Sequence, residues 1–350
     1  MSMKTGVLLI NLGTPDDPGV AAVRRYLRQF LSDPRVIDIP ALARFLLLNL
    51  FILPFRPRTS SAAYRQIWTE QGSPLLYHTR ALSDGVGSAL GERAVVRFAM
   101  RYQRPSIRAA LDAFRREGIA RLVVFPLYPQ YASSSTGSSL EEVYRICADY
   151  WNVPALNVMP PFFDHEAYLA CQTAVIRESL GDPAQFDHVL FSFHGLPERQ
   201  IRKSALAPCV QDGTACLALP ACCERIGDYN AYCYRAQSSF VARELSRRLA
   251  IPGGRWSIGF QSRLGRTPWI QPFTDVLLAS LAERGVRRLA VAVPSFTADC
   301  LETIEEIGIR GVETFKAAGG ESLHLVPCLN AHPAWVEAIA AMLAEMGVQA

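Results

Sequence analysis

Short unbroken apolar runs recur along this chain, separated by longer stretches of helical period, and few folds accommodate that alternation. The runs are residues 7–12, 94–100, 122–127, 189–193, 256–260, 289–293 and 323–326. Runs without polar alternation suit strands covered on both faces. Between them, residues 107–118, 164–180, 238–249, 274–285 and 333–346 carry apolar side chains at helical spacing, with Gly118, Gly181 and Gly285 as stops. Strand alternating with helix predicts an α/β chain with parallel sheets wrapped by helices.

Residues 117–127 (EGIARLVVFPL) and 283–294 (ERGVRRLAVAVP) echo each other as helix end, strand, proline and polar loop. Any two βαβ units look alike. An internal duplication gives the same echo: two similar halves, 1–160 and 161–350, with a cleft between them. Ligands in such sheets bind beyond the carboxyl ends of the strands. The loops after Leu12, Leu127, Phe193, Phe260 and Val293 should therefore face one site.

Half of the 350 residues are hydrophobic and 19% are charged, which suffices for a full core and excludes disorder as the main state. The net charge of +4 is small and unclustered, so no nucleic-acid partner is expected. No apolar run approaches the roughly 18 residues of a membrane span. The N-terminus lacks the long apolar region of a signal peptide, and a cytoplasmic protein is expected.

Two segments break the pattern. Residues 45–55 (FLLLNLFILPF), within a stretch at 41–58, are nearly all apolar, with Arg44 before them and Arg56 and Arg58 after. They suit a buried helix. They also suit an exposed lip that binds a greasy ligand or rests on a membrane surface, with the arginines at headgroup level. The stretch at about 202–230 lacks periodicity and reads as an insertion.

Three places can carry chemistry. His194 ends the 189–193 run before a Gly-Leu-Pro turn, where α/β enzymes set active groups, although a lone histidine is often structural. Asp299, Glu302 and Glu306 follow the 289–293 run at spacings of three and four. If Thr297 or Asp299 caps a helix there, these carboxylates share one face and Glu305 points elsewhere. Such a face is either solvated, a cation path, or a place where a carboxyl pKa is raised for proton transfer. Tyr128, Tyr131 and the hydroxyls from Ser133 to Ser138 follow the 122–127 run, as an anion-holding mouth or an ordinary polar loop.

Taken together these segments resemble the ferrochelatase family, enzymes that insert Fe²⁺ into a porphyrin to make haem. The resemblance runs through LINLGTP (9–15), YRQIW (64–68), GSP (72–74), MRY (100–102), YPQY (128–131), TGS (136–138), SFHGLP (192–197), QSR (261–263), PSFTADCLETIEE (294–306) and PCLN (327–330). It implies two Rossmann-like halves of the chelatase type around a porphyrin cleft. It also implies a lyase that converts protoporphyrin IX and Fe²⁺ to protohaem with loss of two protons. His194 and Glu302 would stand at the proton and metal chemistry, with Asp299 and Glu306 extending a carboxylate track. Leu12, Tyr64, Arg65, Arg101, Tyr128, Ser134, Thr136 and Ser138 would hold the porphyrin and its propionates. The lip reading of residues 45–55 is favoured because the substrate and product are membrane-soluble. A peripheral position on the inner membrane face follows, as a monomer or homodimer.

Many members of the family carry a [2Fe–2S] cluster. Here Ser133 stands where the animal enzymes have a cluster cysteine, and no cysteine follows Cys328. Five of the nine cysteines, Cys209, Cys216, Cys222, Cys223 and Cys233, fall close together instead. A local cluster favours metal over a disulfide framework. The first four are the number a [2Fe–2S] cluster needs, with Cys233 in reserve at a helix start. Zn²⁺ remains an alternative, as does the absence of metal. For the whole chain, coproporphyrin III is an alternative substrate. Cobalt insertion into a corrin precursor fits the motifs less well. A non-catalytic tetrapyrrole or iron–sulfur binding protein would not need both His194 and the carboxylates.

Overall fold

The computed structural model describes residues 4–204, 220–265 and 267–348. They form two compact units, one built from residues up to 128, 133–160 and from 330 onward, the other from 129–132 and 161–329.

In the first unit β1 (Thr5–Gly13), β2 (Ala94–Tyr102), β3 (Arg121–Pro126) and β4 (Ala155–Val158) form a parallel sheet in the order β2-β1-β3-β4. Central β1 is paired on both edges and covered on both faces, so Val7, Leu8, Leu9 and Ile10 are all fully buried, as the unbroken apolar run requires. The helix Ile107–Arg116 covers one face through Ile107, Ala110, Leu111 and Phe114, and Ser106 caps it by accepting from the Ala109 N–H. Strand β4 pairs only with β3 and alternates between exposed and half-buried residues, so it carries no apolar run for a reader of the sequence to find.

Residues from 330 onward, which follow the second sheet in sequence, belong to this first unit. The helix Pro333–Glu345 buries Trp335, Ile339 and Met342 and packs on the helix Pro74–Leu90. Gly85 permits the approach, since a Cβ there would lie 2.9 Å from Cγ2 of Val336.

The second unit repeats the connectivity with β5 (His188–His194), β6 (Trp256–Gln261), β7 (Arg288–Ala292) and β8 (Ser322–Leu325), in the order β6-β5-β7-β8 and again all parallel. In both sheets the first strand lies between the second and the third. The echo noted in the sequence corresponds to β3 and β7, the third strands of their sheets. Leu190, Leu289 and Val291 from the sheet pack with Leu278, Leu281, Ile307 and Phe315 from the covering helices.

One local finding departs from the sequence-based expectation, and a second bears on its two readings of residues 45–55. The helix after β7 starts at Leu301, with Cys300 as its cap, so Asp299 precedes it instead of standing on its first turn. From Leu301 to Gly311 it is wound as a π-helix, with i→i+5 bonds, before α-helical Val312–Ala317. The segment at 45–55 belongs to a helix, Ala41–Leu46, that widens over Leu47–Ile52. Leu48 and Leu53 turn inward and are buried, but one face stays open: Phe45 is 60% and Phe51 66% exposed, with Leu42, Leu50 and Phe55 comparable. Arg44 turns inward, its Nη1 donating to the carbonyls of Ile37 and Ile39. No helix among the described residues is long and apolar enough to cross a membrane.

Candidate active site

The carboxyl ends of β5, β6 and β7 carry the residues that the sequence singled out in the second unit. His194 ends β5 opposite Gln261 of β6. Its N–H donates to Ser295 Oγ at 3.1 Å, just past β7. The His194 Nδ1 lies 2.6 Å from its neighbour's carbonyl, Gly195 O. A carbonyl can only accept, so Nδ1 carries the proton and the lone pair is on Nε2. Gly195 is needed for close approach, because a Cβ there would meet Gln261 O at 2.8 Å.

Glu302 and Glu306 lie on the π-helix, both half-buried. Gln261 Nε2 donates to the Glu302 carbonyl at 2.6 Å. The Glu306 carboxylate takes Ser262 N–H on Oε1 at 2.8 Å and Ser262 Oγ–H on Oε2 at 2.5 Å. Burial holds the Glu306 carboxyl above the ordinary carboxylate range. The Ser262 bonds oppose that rise, the Glu302 charge adds to it and the His194 charge opposes it. Glu306 therefore senses both other groups.

Asp299 is buried and accepts at Oδ1 from Thr303 Oγ1 at 3.0 Å and from the Cys328 N–H at 3.4 Å. Glu305 is buried and paired with Arg310, which separates it from Glu302 and Glu306 in role. Burial pushes the thiols of Cys300 and Cys328 well above their usual range, so neither offers a thiolate beside these carboxylates.

In the first unit Arg101 and Ser138 come together around a residue the sequence reading passed over. Asp33 Oδ2 accepts from Arg101 Nη2 at 2.8 Å, Tyr102 OH at 2.9 Å and Ser138 Oγ at 2.6 Å. Ser138, expected at a ligand, is fully buried in this network. Tyr64 is buried against Tyr26 and Trp68, while the next residue, Arg65, is exposed. Rings connect Tyr26 through Phe30 to Tyr102, over which the Arg101 guanidinium lies at 4.7 Å. Tyr128 OH is 3.4 Å from Ser139 Oγ, and burial pushes its hydroxyl pKa up. Ser134 is half-buried; Thr136 is buried, with its hydroxyl lacking a hydrogen-bond partner. Leu12 is half-buried at the end of β1.

The cysteine segment is described only in part. Cys209 and Cys216 lie outside the described residues. Cys222 and Cys223 end the short turn Pro220–Cys223, Cys223 being buried. Cys233 is buried as the residue before the helix Tyr234–Arg248. The Arg243 guanidinium lies near enough to Cys223 for their charges to interact. Among the described residues no group of three or more His, Cys, Asp or Glu side chains is placed to hold a metal.

Asp33, Tyr102, Gln261, Ser262 and Ser295 escaped sequence reasoning as functional groups. The MRY and QSR motifs contain Tyr102, Gln261 and Ser262, but neutral polar residues carry no signal of their own.

SirB from Bacillus subtilis with Fe³⁺ superposes with a TM-score of 0.55 at 12% identity, over 98% of this chain and 95% of that one, which shows a shared fold. A ferrochelatase from Coxiella burnetii (strain CbuK_Q154) is 47% identical over 97% of this chain and 93% of its own length. One from Legionella pneumophila (strain Lens) is 43% identical over 98% and 99%. The ferrochelatase family profile matches residues 4–346, and the chain belongs to the ferrochelatase family.

Proposed function

We propose that protoporphyrin IX is the porphyrin into which this member of the ferrochelatase family inserts Fe²⁺ to make haem, a lyase reaction that ends haem synthesis. The observation that carries the insertion chemistry is the tautomer of His194, whose Nε2 is free to accept while Gly195 O holds Nδ1–H. Insertion replaces two pyrrole N–H protons by one Fe²⁺ and releases both protons, with no change of oxidation state. His194 Nε2 is the base that takes a pyrrole proton. Glu302 receives the metal, and Glu306 takes protons onward because burial has raised its affinity for them. Asp299 extends the acidic track. Carboxylate and imidazole donors hold Fe²⁺ loosely enough for transfer, where thiolates would retain it.

Arg101, Tyr64, Arg65, Tyr128, Leu12, Ser134, Thr136 and Ser138 are assigned to the porphyrin and its propionates. The unpartnered Thr136 hydroxyl supports that assignment, while Arg101 and Ser138 are engaged with Asp33. The enzyme works in the cytoplasm as a monomer or homodimer. The exposed apolar side chains of residues 45–55 rest on the membrane surface that supplies the substrate. Cys209, Cys216, Cys222 and Cys223 hold a [2Fe–2S] cluster, with Cys233 in reserve. A guanidinium beside the buried Cys223 favours the thiolate that such a ligand must be. When bound, the cluster is a structural or sensory group, outside the insertion chemistry.

The test follows the Soret band after Fe²⁺ is added anaerobically to the protein with protoporphyrin IX or coproporphyrin III. Insertion into protoporphyrin that is abolished in His194→Ala, with porphyrin binding retained, supports the reading. Faster turnover of coproporphyrin III overturns the substrate assignment, and binding without insertion overturns the enzyme reading. Cys222→Ser should lose the visible absorption of the purified protein; an unchanged spectrum removes it as a ligand.

A further inference from the structure

We propose that Gln261 and Ser262, at the end of β6, are positioning residues that fix Glu302 and Glu306 relative to His194. The inference rests on the roles assigned above to those three groups. Gln261 lies beside His194 in the sheet and is 4% exposed. Each of its polar ends is used. Its Oε1 accepts from Ser192 Oγ at 2.7 Å, and Ser192 in turn meets Thr274 Oγ1 at 2.8 Å. Its main-chain oxygen accepts from Gly195 N–H at 2.7 Å. Its Nε2 donates to the Glu302 carbonyl at 2.6 Å. One buried amide therefore joins the strand that ends in the base to the first turn of the helix that carries the carboxylates.

Ser262 adds a second grip one residue on. Its φ of +66° is left-handed, a region that a residue with a Cβ seldom adopts. That conformation accompanies both of its donors reaching one carboxylate, N–H to Oε1 and Oγ–H to Oε2 of Glu306. An unfavourable backbone retained at a candidate site marks a constraint that the surroundings enforce. Held at both oxygens, Glu306 cannot swing about its side-chain torsions. With the Glu302 backbone also pinned, the Glu306 carboxylate and the helical turn that carries Glu302 keep a set geometry to His194. Passing a metal and protons between groups depends on such placement to within a fraction of an ångström.

The experiment compares Ser262→Ala, Ser262→Gly and Gln261→Glu with the parent, reading kcat and KM for Fe²⁺, porphyrin Kd by fluorescence quenching, and melting temperature. Ser262→Gly removes the hydroxyl and relieves the backbone, Ser262→Ala removes only the hydroxyl, and Gln261→Glu keeps shape without the donor. Loss of a hydrogen bond to a charged group should lower kcat/KM for Fe²⁺ about tenfold or more in both serine variants. Gln261→Glu should fall at least as far. Porphyrin Kd and melting temperature should stay at the parent values in the two serine variants. Rates unchanged in all three overturn the proposal, as does recovery in Ser262→Gly of what Ser262→Ala loses. A fall in porphyrin affinity and melting temperature in step with the rate in the serine variants also overturns it, since it marks a merely structural role. Glu306→Gln and His194→Ala separate the two levels. If those two retain full insertion, the assigned roles fail. If they lose it while the serine and glutamine variants do not, only the positioning inference fails.

Discussion

Replacing Asp33 by Asn should destabilise the first unit by about 3 kcal/mol. Asp33 follows the helix Val20–Ser32 and is 7% exposed. Besides the three donors on Oδ2, its Oδ1 accepts the Arg35 N–H at 2.7 Å. An amide of the same shape can turn its oxygen toward the three donors, but its NH₂ then faces the Arg35 N–H. The larger loss is electrostatic. The Arg101 side chain, 15% exposed, would keep its charge without a counter-ion. Removing one partner of a buried pair costs about 3–5 kcal/mol, and the partial exposure of Arg101 argues for the lower end. The assay is urea unfolding of the full chain, followed by far-UV circular dichroism. The double variant Asp33→Leu with Arg101→Met leaves no unpaired charge. It should therefore cost at least about 1 kcal/mol less than the sum of Asp33→Leu and Arg101→Met measured singly. Asp33→Asn within about 0.5 kcal/mol of the parent, or strict additivity in the cycle, would refute the reasoning.

Other expectations follow from single sites. His188 is buried, with Nε2 2.9 Å from Ser257 Oγ, and burial, with the charges of Arg284 and Arg255, lowers its pKa from 6.5 to about 4. Below pH 6.5 the unfolded chain binds the proton more tightly than the folded one, so stability should fall as pH drops from about 6.5 to 4. His188→Gln should flatten that slope in unfolding curves, and an unchanged slope would disprove it. Gly195→Ala brings a Cβ to 2.8 Å from Gln261 O, so it should cost about 1–3 kcal/mol and slow insertion by moving His194. A variant with parental rate and stability would show that the loop yields freely. Phe45→Ser with Phe51→Ser, at 60% and 66% exposed positions, should leave stability within about 0.5 kcal/mol while weakening co-sedimentation with anionic vesicles. Equal sedimentation would remove the lip from the membrane contact.

The parts of the fold legible in the sequence are those set by burial on both faces. The runs around Val7–Ile10 and at β5 and β7 read as strands because burial on both faces selects apolar side chains and admits a polar one, such as Ser192, only where it is hydrogen-bonded. The edge strand β4 was invisible for the opposite reason, being half solvated. Among the site residues, His194, Glu302 and Glu306 announced themselves by type and spacing, and the structure puts all three at the carboxyl edge of one sheet. The face expected to include Asp299 depended on α-helical winding from a cap at 297 or 299. The helix starts instead at Leu301 and is π-wound, so Asp299 precedes it and accepts from Thr303 and the Cys328 N–H.

The alternation of strands and helices and the two-part plan were thus legible along the chain, as were His194 and the acidic residues as candidates for proton and metal chemistry. Information read along the chain is local: periodicity, residue type and motif. What those groups lean on is set by contacts between distant parts of the chain. Asp33 meets Arg101 and Ser138 across 68 and 105 residues of chain, and Ser262 meets Glu306 across 44. The C-terminal helix likewise finds its place on the first unit, far away in sequence. Hydrogen-bond partners and charge neighbours are chosen by proximity in space, and a neutral Gln or Ser acquires its role only when folding sets a carbonyl or a carboxylate against it.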